Sequence, residues 1–440
     1  MDFLLFLLVN ATLFLRPSEL FPGLAEVQIY LFLILVSLIV ALPKLVVRLR
    51  PASLAREPVT LCVLALLPAT FLSHLSHFDL WRARYDTLDF SKTIIYFLVL
   101  IAVVDSMPRL RTFLYSIALF TAVSATVAIL HYYEIIEVPS LTVLNRTELF
   151  DSETGAEITF RQLQATGIFA DPNDLSAIVV VAICASLYGL GDKSRGMIRL
   201  AWLVPLAVLF LTLGLTRSRG GLLGCIVALG TLSCFRYGFW KTALAGALLL
   251  PAVFALGSQQ TNIGEGMSGG TGQQRVEFWR DGFQALKASP VFGVGSNEYQ
   301  EYTEGHHVAH NSFIHAFVEL GLVGGAFFFG AFWFSGVSLW KLRKRLSAGF
   351  RDLGGGALWR LHPYLLAIVA GYGVSQMGIS RAYVVPTYLV LGGASACSFE
   401  ARREGLPALL TVNPRLLRNL AAASVLFVAG MYLFIRFSPR

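Results

Sequence analysis

Residues 198–235 read IRLAWLVPLAVLFLTLGLTRSRGGLLGCIVALGTLSCF. Two apolar runs, 198–215 and 220–235, enclose the polar turn Thr216-Arg217-Ser218-Arg219. A helix crosses the hydrocarbon core of a bilayer with about 20 mostly apolar residues. Each run is therefore a membrane span, and the turn reverses the chain at the bilayer surface. The pattern repeats outward, near 2–15, 26–47, 58–75, 91–105, 110–131 and 173–190 before this stretch, and near 239–256, 310–340, 361–379, 383–399 and 417–437 after it. Helices satisfy their own backbone hydrogen bonds inside lipid. The fold class is all-α, a polytopic integral membrane protein of about 12–13 transmembrane helices. The first run is short, with Pro17 behind it, no basic leading segment and no small-residue cleavage site, so it reads as a span and not as a signal peptide.

Composition agrees. Of the 440 residues, 55% are apolar and only 14% charged, with 33 Phe; a soluble chain carries about 25% charge. Disorder is excluded, because disordered chains are poor in aromatic and branched apolar residues. The formal net charge is +8. With the N-terminus in the cytoplasm, alternation of the spans puts Lys44, Arg48, Arg50 and Arg56, then Arg109 and Arg111, then Lys193, Arg195 and Arg199, and later Lys341 to Arg345 and Arg402 to Arg418 on one side. That is a topology signal against an anionic inner leaflet. It is not a nucleic-acid footprint, so membrane lipids are partners and nucleic acid is not. The five cysteines all fall within spans, which indicates neither a disulfide framework nor a metal cluster.

One transmembrane domain, 1–440, accounts for the chain. Three external segments, 74–92, 131–172 and 257–309, are long enough to carry a site. The last holds an amphipathic stretch from Gln274 to Ala288, with Val276, Phe278, Trp279, Phe283 and Leu286 at helical spacing, which predicts a short interfacial helix inserted in the loop. The run Ser268-Gly269-Gly270-Thr271-Gly272 lacks the ending of a nucleotide-binding loop and reads as flexible.

Chemistry gathers on the external side. Six of the eight His residues lie there, His74, His77, His131, His306, His307 and His310, with His315 about one turn into the next span. Arg217, Arg219, Arg275, Arg280 and Arg381 lie beside them. Guanidinium binds phosphate oxygens bidentately and stays charged at any working pH, so the set suits an anionic lipid-linked substrate, above all a diphosphate. Each piece has a plainer reading too. Arg217 and Arg219 can anchor a hairpin by snorkelling, Arg275 and Arg280 can form the solvated face of an interfacial helix, and Arg381 closes a short hairpin. His310 opens the span after the long loop, where a neutral imidazole can take a proton from a sugar hydroxyl. Glu319 lies within that span and needs a partner; His315, four residues earlier on the same helical face, supplies it. His306, His307 and His310 lack a carboxylate or Cys at ligand spacing, so no metal is expected.

The order of these motifs resembles the O-antigen ligase and O-antigen polymerase superfamily. The most specific part is Arg275-x-x-x-Trp279, then Pro290-x-x-Gly293-x-Gly295, His310-Asn311-Ser312-Phe313 and Glu319-x-Gly321-x-x-Gly324, preceded by the Thr216-x-Ser218-Arg219-Gly220 turn. The resemblance implies a bacterial inner-membrane, metal-independent, inverting glycosyltransferase with a C-type fold, a long periplasmic loop before a late span, and no cofactor. Such enzymes move a glycan from an undecaprenyl-diphosphate carrier to an acceptor hydroxyl at the periplasmic face. On that basis Arg219 and Arg275 bind the diphosphate and His310 is the general base or orients the acceptor. Arg217, Arg280, Arg381, His315 and Glu319 are substrate-binding candidates. The acceptor is a growing glycan, for a polymerase of O-antigen or exopolysaccharide repeats, or lipid A–core, for a ligase; other polysaccharide-assembly proteins are further candidate partners. A transporter or lipid-linked sugar flippase is the alternative from another class. It would place paired ionisable residues at mid-span in matching halves, whereas here the spans are nearly free of charge apart from Glu319.

Overall fold

Each apolar run found in the sequence is helical over most of its described residues. The computed structural model describes residues 1–24, 27–150, 157–248, 271–349 and 356–438. In chain order the helices are α1 (Asp2–Leu15), α2 (Ile29–Arg48), α3 (Pro58–Leu75), α4 (Leu80–Val103), α5 (Met107–Tyr132), α6 (Pro172–Gly191), α7 (Leu203–Thr216) and α8 (Arg219–Tyr237). After a helical stretch at 239–248 come α9 (Thr271–Ala288), α10 (Ser312–Ser347), α11 (Ala357–Ser375), α12 (Val385–Arg403) and α13 (Pro414–Phe437). Eight helices among the described residues are long and apolar enough to cross a membrane, and α1 is apolar but shorter. The second half of the span expected at 239–256, and the glycine run at 268–270, lie outside the described residues.

Position in the bundle follows from composition. Helix α6 is apolar on every side, and Leu175, Ile178, Val179, Ala182 and Ala185 have no exposed surface. It is the central helix, as an all-round apolar helix must be. Helices α2 and α13 lie outside: Ile39, Val46, Val425 and Leu426 are 66%, 65%, 61% and 73% exposed. A water-soluble surface does not carry such apolar faces, so these faces meet lipid. The protein is an all-α, multi-pass membrane protein.

Charges sort to the ends. Lys44 Nζ sits 2.7 Å from Asp2 and 2.5 Å from Asp105, and Arg109 reaches the same two carboxylates at 3.1 Å. Arg48 and Arg402 enclose Glu57 nearby. The N-terminus and three of the loops that alternation assigns to one side thus meet through ion pairs at one end of the bundle. The segments carrying the candidate site meet at the other end.

Three expectations are corrected there. The segment 74–92 is not an extended loop: α4 begins at Leu80, because Asp79 caps it by accepting from the Arg82 N–H at 2.9 Å. The segment 131–172 contains an antiparallel hairpin of β1 (Leu144–Phe150) and β2 (Glu157–Gln162). The single span expected over 310–340 runs from Ser312 to Ser347 and is broken at Gly321, with φ 68° and ψ −171°.

That break has a specific structure. Residues 290–295 lie against it, and the Val294 and Gly295 N–H groups donate to the Val318 and Glu319 carbonyls at 3.1 and 3.0 Å. In return the Leu322 and Val323 N–H groups donate to the Pro290 and Val291 carbonyls at 2.8 and 3.3 Å. A broken helix inside a bundle leaves backbone groups that only protein can satisfy, and this segment satisfies four of them. The approach needs glycine on both sides. A Cβ on Gly293 would fall 2.3 Å from the Glu319 carbonyl oxygen, and one on Gly321 would fall 2.3 Å from that of Val291.

Candidate active site

The turn between α7 and α8 is built by its own sequence. Arg217 ends α7 in the left-handed region, at φ 50°. Ser218 caps α8, accepting from the Gly221 N–H at 3.1 Å while its hydroxyl donates to Asn173 Oδ1 at 2.7 Å. Arg219 is therefore the first residue of α8, exposed at the positive end of that helix. Arg217 turns the other way, its guanidinium 4.6 Å from the ring of Phe160 on β2, with Nη1 buried.

Asn173 leads on to Arg381. It lies in the first turn of α6, which Asp171 caps by accepting from the Asn173 and Asp174 N–H groups. Asp174 takes Arg381 through Nε at 2.7 Å and Nη2 at 2.5 Å. Burial works to lower the Arg381 pKa, but the Asp174 carboxylate outweighs it and raises it. The Arg381 N–H donates to the Ser312 hydroxyl at 2.9 Å, and Ser312 Oγ lies 2.7 Å from the Ile379 carbonyl. Ser312 is the first residue of α10, two places after His310.

His310 stands at φ 47°, just before the α10 cap. Asn311 is that cap, its Oδ1 accepting from the Phe313 and Ile314 N–H groups at 3.1 and 3.2 Å. This fixes the amide, so Asn311 Nδ2 points away from the helix, buried and without a hydrogen-bond partner among the described residues.

Arg275 arrives on α9. The expected amphipathic helix is present, and Phe283 and Leu286 pack with Phe317, Val318 and Ile435. Trp279, one turn after Arg275, donates from Nε1 to the Ala309 carbonyl at 2.6 Å, which ties α9 to the peptide preceding His310. The Tyr299 hydroxyl donates to the Phe278 carbonyl at 2.8 Å. Burial first, then the Asp281 and Glu319 charges, push its pKa up, so it remains a donor.

Glu319 is fully buried beside the α10 break. His315 Nε2 sits 3.0 Å from its Oε1. The Tyr299 N–H and the Tyr383 hydroxyl donate to the carboxylate at 3.2 and 2.8 Å. The buried carboxylate therefore has its partners, as a charge in a span requires.

Hydrogen bonds of Ser218, Asn173, Asp174, Arg381 and Ser312 thus tie together the turn that carries Arg217 and Arg219, the Arg381 hairpin and the helix start beside His310, and Trp279 ties the helix of Arg275 to the peptide before His310. Arg280 stands apart. It lines a cleft of about 220 Å³ against α13, with Lys287, Tyr432 and Arg436. Two of the external imidazoles act as ties. His74 Nε2 lies 2.9 Å from Asp86 and 3.0 Å from Ser296, and His77 Nε2 lies 2.9 Å from the Gly293 carbonyl. The His307 ring stacks on Phe278 at 4.6 Å. Among the described residues no group of three or more His, Cys, Asp or Glu side chains is placed to hold a metal ion.

Sequence reading missed Asn173, Asp174 and Ser312 as parts of this set. The signal available for the first two was Asp171-Pro172-Asn173-Asp174. A capping Asp followed by Pro marks a helix start, and it puts an acid at the external end of a span that needs a cation.

Residues 204–329 match the family model described as O-Antigen ligase. The matched segment includes Arg217, Arg219, Arg275, Arg280, His310, His315 and Glu319. No curated protein matches the chain. This segment of the multi-pass membrane protein is thus similar to the O-antigen ligase family, in keeping with the superfamily that the sequence motifs resemble.

Proposed function

We propose that the protein is a glycosyltransferase of the bacterial inner membrane. It moves a glycan from an undecaprenyl-diphosphate carrier to an acceptor hydroxyl at the periplasmic face. The observation that carries this reading is that the hydrogen bonds of Ser218, Asp174, Arg381 and Ser312 join the turn of Arg219, the hairpin of Arg381 and the helix start beside His310, with Trp279 bringing in the helix of Arg275. Arg219 and Arg275 hold the two phosphates. The acceptor hydroxyl attacks the anomeric carbon and gives its proton to His310. The carbon–oxygen bond to phosphate breaks, and its electron pair leaves on the diphosphate. Attack opposite the leaving group inverts the sugar carbon.

The electrostatic need is local: the departing diphosphate gains charge, and fixed guanidinium groups stabilise it without reorganising. Asn311 Nδ2 is a buried donor next to His310 and suits a hydroxyl-rich acceptor. Arg217, Arg381, His315 and Glu319 position these groups, and Arg280 contacts the glycan or lipid from the α13 side. No cofactor and no metal enter this scheme.

Polymerisation of O-antigen or exopolysaccharide repeats is the reading taken. The description of the matched family favours a second, transfer of finished polymer to lipid A–core. Reconstitution with an undecaprenyl-diphosphate glycan tests both. A ladder of longer lipid-linked glycans marks the polymerase, and label on lipid A–core marks the ligase. Unchanged carrier release in both His310→Ala and Arg219→Ala would remove the assigned site.

A further inference from the structure

Away from this site, two cavities flank the edge formed by α1 and α2. One, about 410 Å³, opens between α1, α2 and α5 and is walled by Leu8, Leu33, Val123 and Val127. The other, about 710 Å³, opens between α1, α2 and α4. Its lining is apolar at Leu13, Ile34, Leu35 and Ile95 and polar at Arg16, Tyr30, Asp89 and Lys92. The cavities share Thr12, Pro17 and Ile29. Their walls face outward: Leu8, Leu31 and Leu35 are 46%, 39% and 45% exposed.

Two polar atoms here lack what burial requires. Arg16 Nε and Tyr30 Oη are buried without a hydrogen-bond partner among the described residues. Such groups are costly unless something bonds them. Arg16 is also held firmly, in the left-handed region at φ 46° and against Gly167, where a Cβ would fall 2.4 Å from its Nε. Its Nη1 pairs with Glu19 at 3.2 Å and Lys92 pairs with Asp89 at 2.8 Å.

We infer that this edge binds one two-chain glycerophospholipid. Its phosphate meets the part-exposed Arg16 guanidinium and Lys92 beside Tyr30, and its acyl chains lie in the two cavities on either side of the α1–α2 edge. The pairing of a forked apolar space with one set of donors selects this occupant. A single-chain polyprenyl phosphate fills one branch and leaves the other empty. The site shares no residue with the one assigned to glycosyl transfer, so it stands whether or not that assignment does.

The test uses the full chain, delipidated in detergent, with phosphatidylglycerol added and binding read by native mass spectrometry and thermal shift. One copy should bind and raise the melting temperature. Lysophosphatidylglycerol and undecaprenyl phosphate should bind at least tenfold more weakly, and diacylglycerol should give no shift. Arg16→Gln and Lys92→Gln should each weaken phosphatidylglycerol by about tenfold, as loss of a hydrogen bond between charged groups implies. Lys92 is a surface residue, so its variant keeps the test open should Arg16→Gln unfold. Tyr30→Phe should weaken binding by a smaller factor, and Arg219→Ala should leave it unchanged. Wild-type binding in Lys92→Gln and Tyr30→Phe, equal binding of the single-chain lipids, or loss of binding in Arg219→Ala would overturn the assignment.

Discussion

Gly321→Ala should damage this protein far more than a methyl group suggests. The wild-type backbone there, at φ 68° and ψ −171°, occupies a region reserved for glycine, and a side chain in it costs about 1–3 kcal/mol. The new Cβ would also fall 2.3 Å from the Val291 carbonyl oxygen and 2.5 Å from the Gly293 nitrogen. Both neighbours are backbone and cannot rotate aside. To clear the methyl group, residues 290–295 must withdraw and lose the bonds from Leu322 to Pro290 and from Val323 to Val291. Each bond contributes about 0.5–1.5 kcal/mol net, and more where no water replaces it. The total is about 3 kcal/mol or more, on the order of 5 °C or more in melting midpoint. Heating the detergent-solubilised protein and following the folded fraction measures it. Gly336→Ala is the control in the same helix. Nothing lies within 4 Å of its added Cβ, and alanine in a helix interior gains about 0.5–1 kcal/mol. Equal stability of the two variants would refute the claim that segment 290–295 needs glycine at the break.

Other perturbations separate support from chemistry. His310→Ala should lower carrier turnover by about 10²–10⁴-fold, the usual contribution of a general base, with the melting curve little changed; a tenfold or smaller loss in turnover assays rejects it as the base. Asp174→Asn removes the charge facing Arg381, which is 44% exposed and screened by solvent. Stability should fall by no more than about 1 kcal/mol, while KM for the lipid-linked donor rises as Arg381 loosens; an unchanged KM contradicts the positioning role. Glu319→Ala leaves His315, the Tyr299 N–H and the Tyr383 hydroxyl without their shared acceptor and should cost about 3–5 kcal/mol. Glu319→Gln keeps an acceptor for Tyr299 and should cost clearly less, with thermal unfolding of the pair deciding.

The fold was legible because lipid imposes one rule along the whole chain. An apolar run of spanning length must be helical, and every expected run is helical over most of its described residues, with the break at Gly321 inside one of them. Part of the same-side grouping of charges was legible too, since Asp2 at the N-terminus, Lys44 and the Asp105–Arg109 loop meet in one network. Features set by tertiary contact were not. Helix α4 starts at Leu80 on a cap whose charged first turns read as loop when hydropathy alone is followed. The α10 break is invisible to hydropathy because residues on both sides of Gly321 are apolar; its cue was the repeated glycine at 293 and 321.

The candidate site was half legible for a related reason. Residue type revealed which groups can bind phosphate, and topology placed them at one end. Which of them converge depends on caps, and each cap here serves two tasks. Ser218 both starts α8 and reaches Asn173. Asn311 both starts α10 and presents a buried amide beside His310. Ser312 accepts from the Arg381 backbone. Helix starts carry a positive dipole end, and the starts of α6, α8 and α10 are tied to one another by these caps and by Arg381. The arginines add charge at the same end, and the bond from Asp174 fixes how Arg381 sits there. Arg280 lines the α13 cleft, a placement that depends on the packing of α9 against α13 and that spacing along the chain does not reveal.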